Sequence, residues 1–158
     1  MAIGDLGSSA PVAFTVAATA PYVFTWGNYH GWIFNADQSQ NTPTDQAAAG
    51  SSIVVLLTGQ GAVNPHVHTG YPGPSNPPSK VVATTTATID GSPATVSSSI
   101  LAPGQVGLCH VTVEVPAGLP VGEHKLVVNI GGVNSNEVLF DSGSAVAGSF
   151  VPEKRHPQ

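Results

Sequence analysis

Charge is scarce in this chain. Asp, Glu, Lys and Arg make up 8% of its 158 residues, against roughly a quarter in an ordinary globular domain. Only four residues are Lys or Arg, and Lys154 and Arg155 stand side by side near the C-terminus. Without a basic surface to neutralise phosphates, nucleic acid is not expected as a partner, nor is polybasic attraction to an anionic membrane. Cys109 is the sole cysteine, so an intrachain disulfide and a cysteine-based zinc site are both out of reach. No apolar run approaches the ~18 residues of a membrane span. Residues 1–5, MAIGD, lack the charged start of a secretory signal. Such a start fits a chain freed of its leader, or one such as a virion component that never carried one. Helical patterns are also rare: only residues 44–49, TDQAAA, are helix-compatible, and that stretch is too short to stand alone.

What the chain does have is turns and alternation. Gly occurs 18 times and Pro 14 times, as a sandwich of short strands requires. Between residues 101 and 136, Val111, Val113 and Val115 alternate with Thr112 and Glu114. This period of two places the valines on one buried sheet face. Pro116, Gly118, Pro120 and Gly122 break that strand, and a second β-rich run, residues 125–130, ends at Gly131-Gly132. Further strands are predicted at residues 12–16, 22–26, 32–35, 52–58, 84–89, 94–97 and 137–140, with the first of the pair above at 107–115. The expected fold is all-β: an immunoglobulin-like sandwich of about seven to nine antiparallel strands. Asp90-Gly91 reads as a two-residue hairpin turn, Pro103-Gly104 as a type II turn, and Gly59 and Gly61 as strand-ending positions of positive φ. Prolines bar residues 64–79, NPHVHTGYPGPSNPPS, from central pairing, so this loop should cover a sheet edge or one end of the sandwich. Cys109, set in the alternating strand, reads as a small buried apolar residue.

Three regions are expected: an N-terminal strand or arm over 1–20, a sandwich over 21–145 and a flexible tail over 146–158. Ile3-Gly4-Asp5-Leu6 with Ser8, Val12 and Phe14 echoes Ile130-Gly131-Gly132-Val133 with Ser135, Val138 and Phe140. The echo suggests that the arm is the last strand of a preceding repeat or a strand lent to a neighbour, with Val12, Phe14 and Val16 as its apolar row.

The motifs Thr58-Gly59-Gln60-Gly61 with Asn64-Pro65, then ATIDGSPATV at 87–96, LAPGQVG at 101–107, VEVPAGL at 113–119 and IGGVNSN at 130–136 occur in order. With them the chain resembles the immunoglobulin-like domain at the C-termini of many large secreted proteins of Solibacter-type acidobacteria, within the broader group of bacterial Ig-like and IPT/TIG-like sandwiches. The resemblance covers residues 9–140. It implies an extracellular sandwich and carries no catalytic residues, because that family has no established activity. Cys109-His110 stands where the family usually has Tyr-Gln, and His66-Val67-His68 falls in a variable stretch.

Candidate chemistry is sparse. His66 and His68 would share one side of an extended segment, and His110 or His124 could complete a three-nitrogen metal site. Tyr22, Trp26, Tyr29 and Tyr71 are candidates for stacking on sugar rings or a partner protein. The competing expectation is that Phe24, Trp32 and Phe34 fill the core while Tyr22 and Trp26 cap it. No G-x-S-x-G elbow, phosphate-binding glycine pattern or carboxylate pair in an apolar setting occurs. The sequence therefore points to a non-enzymatic module at the cell surface or outside the cell, without cofactor. Its expected partners are copies of itself or neighbouring repeats, with glycan or protein binding by the aromatic set, or metal binding by His66 and His68, as the alternatives.

Overall fold

The computed structural model describes residues 10–144. Among them the backbone forms no helix and fifteen short strands. In chain order these are β1 (Tyr22–Val23), β2 (Thr25–Trp26), β3 (His30–Gly31), β4 (Ile33–Phe34), β5 (Ala47–Ala48), β6 (Ser52–Thr58), β7 (Val63–Asn64) and β8 (Lys80–Val81). There follow β9 (Thr85–Ile89), β10 (Ser92–Ala94), β11 (Val96–Leu101), β12 (Cys109–Glu114), β13 (Gly122–Ile130), β14 (Val133–Asn134) and β15 (Val138–Gly143). One sheet has the order β1-β6-β12-β11-β8-β7, with β4 also on β6; the other has β10-β9-β13-β15-β3-β2, with β14 on β13 and β5 on β15.

The core follows from alternation. Ile53, Val55 and Leu57 of β6 and Cys109, Val111 and Val113 of β12 face Leu126, Val128 and Ile130 of β13 and Val138 and Phe140 of β15, all buried. Burying each such aliphatic side chain is worth roughly 1.5–3 kcal/mol. Cys109 belongs to this core, and burial pushes its thiol up to about 11. The connection from β12 to β13 passes from one sheet to the other.

The strands are more numerous than the sequence predicts, in part because the N-terminal segment changes sheets and in part because two-residue pairings form at β5, β7, β8 and β14. β1 pairs with β6, β2 and β3 join the opposite sheet, and β4 returns to β6. The pairing is not wholly antiparallel either: β15 takes β3 and β5 as parallel neighbours. Nor do Phe24, Trp32 and Phe34 fill the core. Val23 and Ile33 are fully buried, and adjacent residues of a strand cannot share a face. Phe24 and Trp32 are consequently 39% and 43% exposed, and Phe34 is half-buried on the outer side.

Two asparagines tie the excursion down. The buried Asn41 amide donates to the Asn35 side-chain oxygen at 2.9 Å and to the Asp141 carbonyl at 2.8 Å, and its oxygen accepts the Asp141 N–H at 2.7 Å. Asn136 accepts the Val23 N–H at 2.8 Å and donates to the Val23 carbonyl at 3.1 Å. Each side chain stands in for a neighbouring peptide group and satisfies backbone that would otherwise be bare.

The chain enters and leaves the sandwich at opposite poles. Thr19 Oγ1 donates to the Ile130 carbonyl at 2.9 Å, and the Ala20 N–H to the Gly59 carbonyl at 2.8 Å. Ser142, near the other end of the described chain, pairs with Gly122. The nine residues of β13 separate these poles by roughly 26 Å at ~3.3 Å per residue.

Candidate functional site

The strand predicted over 12–16 is absent. Residues 10–16 have no regular structure, and Val12, Phe14 and Val16 are 83%, 83% and 80% exposed. The remaining residues of the sequence echo, 3–8, and the predicted tail lie outside the described residues. Within the visible part, an alternating apolar segment projects from the pole at Ile130 without packing on its own domain.

What such a segment could meet depends on the sheet edges. The β1/β4 edge is closed: Asn136 occupies the outward groups of Val23, the Asn41 N–H reaches the Ile33 carbonyl at 2.8 Å, and Phe34 bridges to Gln40. The edge at β10 is three residues long, and Pro93 within it has no N–H to offer. The loop over 64–79 returns at the far edge of the first sheet, as its prolines require, placing β7 beside β8. However, β8 pairs with β11 only at Ile100. Residues 96–99 of β11 therefore have β12 on one side and, on the other, a groove of about 330 Å³ walled by Val81, Ala83 and Thr85.

Ionisable groups gather in two places. His124 Nδ1 lies 2.6 Å from Asp90 Oδ2, and Nε2 lies 2.8 Å from the Pro120 carbonyl oxygen. A carbonyl only accepts, and Asp90 is held ionised, first by the Lys125 N–H and then by His124, which keep its pKa below the usual 3.8. Both imidazole nitrogens therefore donate, and His124 is an imidazolium. Burial pulls its pKa down, but the Asp90 carboxylate and the Pro120 carbonyl outweigh burial and leave it raised above 6.5.

A raised histidine pKa contributes stability that is complete below 6.5 and is lost as pH rises through the folded value. The depressed Asp90 contributes stability that is present above 3.8 and is lost as pH falls through its lower folded value. Asp141 also feels His124. Burial, with the charge of Glu123, raises its pKa above 3.8 against the pull of His30 and His124, so its contribution fades as pH rises through that higher value. Urea unfolding of the wild type is expected to show stability falling from pH 6 to pH 8. Asp90→Asn should flatten that limb and cost roughly 1–2 kcal/mol at pH 6, discounted for the half-exposed carboxylate. Equal slopes in both proteins would refute the imidazolium assignment.

The second cluster sits where β3 docks on β15. His30 Nε2 lies 3.4 Å from Glu123 Oε2 and its Nδ1 lies 3.6 Å from Asp141 Oδ2. The Trp26 ring lies over His30 with centroids 5.2 Å apart. Both His30 Nδ1 and Asp141 Oδ2 are buried without a hydrogen-bond partner, as is Trp26 Nε1. The grooves at Ser97, His66, His110, Glu114 and Gly61 do not include these side chains, and the cluster lies at the contact between the N-terminal excursion and β15.

Trp26 is half-buried against His30. Tyr22, Tyr29 and Tyr71 are exposed. Among the described residues no ring contact joins any two of the four predicted stacking residues. His66 and His68 do meet, with ring centroids 5.2 Å apart, and His68 touches Tyr71 at 6.2 Å, beside a groove of about 360 Å³ lined largely by prolines. The histidines proposed to complete a metal site are placed differently. His124 is engaged by Asp90 and Pro120, and His110 lines a groove of about 400 Å³ with Phe34 and Val54. Among the described residues no group of three or more His, Cys, Asp or Glu is arranged to hold a metal ion. Nor, among the described residues, is any helix long and apolar enough to cross a membrane.

Sequence reasoning missed the outer face formed by Phe24, Trp32 and Phe34. Their aromatic character suggested core, and only the buried partners Val23 and Ile33 reveal the opposite phase. Compared with known proteins, the chain matches no family model and no curated sequence.

Proposed function

We propose that this chain is a non-enzymatic, extracellular immunoglobulin-like module with a structural or adhesive role, which assembles through strand or edge contacts with copies of itself or with neighbouring repeats. The strand order supports the immunoglobulin-like reading. The run β1-β6-β12-β11 opposite β9-β13-β15 corresponds to the A-B-E-D and C-F-G sheets of a constant-type domain. The motif resemblance over residues 9–140 points the same way.

One observation carries the assembly reading: the alternating arm at Val12, Phe14 and Val16 is 80–83% exposed and is rooted at the pole opposite to that where the described chain ends. Apolar side chains in that arrangement gain free energy only by covering a second surface.

Sedimentation velocity and negative-stain electron microscopy over a concentration series test this. The full chain should form species that grow with concentration. The triple variant Val12→Ser, Phe14→Ser, Val16→Ser should remain monomeric with an unchanged unfolding midpoint, because those side chains touch little in their own domain. A wild-type chain that is monomeric at every concentration would sink the proposal.

A further inference from the structure

We infer that the arm has a specific acceptor: the open flank of β11, residues 96–99, in a second copy of the chain. The inference rests on the assembly reading proposed above and adds to it the surface, the strand and the occupant.

The flank has what an added strand requires. On its outer side β11 has no neighbour between Val96 and Ser99, and β8 begins to pair only at Ile100. The register shift between Val96 and Ser98 is a bulge that leaves Ser97 out of the ladder. The flank itself bears Ser97, Ser98 and Ser99, with no proline, and the one lysine of the groove, Lys80, stands at its Ile100 end. Beside it the two sheets part. Val81, Ala83 and Val96 lie half-buried against the core at this opening, and Thr85 Oγ1 meets Ser99 Oγ at 3.1 Å across it. An extended segment laid along β11 would hydrogen-bond to the free backbone and set every second side chain on Val81, Ala83 and Val96.

The arm matches that requirement in length and period. Val12, Phe14 and Val16 project to one side of an extended segment, with Ala13 and Thr15 on the other. Residues 12–16 are one residue longer than the free stretch they would cover. The β1/β4 edge is sealed by side chains and the β10 edge contains Pro93, so the β11 flank is the better acceptor of these three. The occupant comes from another chain. Thr19 and Ala83 both lie close to Gly131, so the arm is rooted beside its own groove. Its apolar residues nevertheless stay at least 80% exposed in the single chain.

Disulfide trapping tests the assignment. Cys109 is buried and free and does not compete. Full chains carrying Val12→Cys, Phe14→Cys or Val16→Cys are each mixed with chains carrying Ser97→Cys and oxidised, with Val121→Cys, exposed at the opposite pole, as control. At least one arm position should give a disulfide-linked heterodimer with Ser97→Cys in at least tenfold excess over Val121→Cys. Equal yields with both, or none with Ser97→Cys while sedimentation still shows assembly, would overturn the acceptor and leave the assembly reading standing. An intrachain disulfide only, in a Phe14→Cys/Ser97→Cys double variant, would show that the arm closes on its own domain and would overturn the second-copy assignment. Failure of the unmodified chain to assemble would overturn the assembly reading and this inference with it.

Discussion

Asn41→Ala is expected to cost about 3–5 kcal/mol and to convert a cooperative urea transition into one of much lower midpoint. The Asn41 side chain is the partner of the Asp141 N–H and carbonyl and of the Asn35 oxygen, and all three bonds are buried. Truncation deletes them together. A buried backbone group without a partner costs ~1–3 kcal/mol, and two are stranded here on β15. Tryptophan fluorescence reports the transition, since Trp26 lies on the excursion that Asn41 holds. A loss below about 1 kcal/mol would mean that water replaces the amide and that the excursion is not anchored by it.

Gly59→Ala should cost about 3 kcal/mol or more. Gly59 adopts φ +79, and a Cβ built there would stand 1.8 Å from the Ala20 carbonyl oxygen. The left-handed conformation alone costs a side chain ~1–2 kcal/mol. The collision is with backbone, so it cannot be relieved by rotating a side chain. The Ala20 to Gly59 hydrogen bond must open, which releases the root of the arm from its pole. Amide exchange at Ala20 is the direct readout and should accelerate at least tenfold, whereas exchange at Val111 should follow only the global loss of stability. An unperturbed Ala20 amide would mean that the close approach of these two segments is not required.

These two positions also show how far the sequence could be read. Strands with several alternating residues were legible: the pattern of 52–58 is the β6 of the structure, and the valines of β12 face inward as their period requires. Local turn chemistry was equally legible. Asp90 and Gly91 take φ 50 and 78 between β9 and β10, and Gly104 takes φ 74 after Pro103. The excursion from β1 to β5 was not. Its strands are two residues each, too short to carry a period, and the asparagines that fix it act on partners about a hundred residues away in sequence. The aromatic residues there were misassigned for the same reason, because hydrophobicity gives no phase without a period. Of the candidate site, the arm was visible as an alternation at Val12, Phe14 and Val16. The open flank of β11 was not, since an edge is defined by which strands fail to cover it, and no local pattern records that.

The parallel pairing of β3 and β5 with β15 has a mechanical consequence. Tension applied through the two ends of the domain would pull the N-terminal segment toward one pole and β15 toward the other. In a parallel pair pulled from opposite ends, the interstrand hydrogen bonds lie across the load and must yield together rather than unzip singly. Resistance to extension would then be governed by the unfolding rate under force rather than by equilibrium stability, and the packing of His30 on β15 and the Asn41 tether would sit directly in the line of tension.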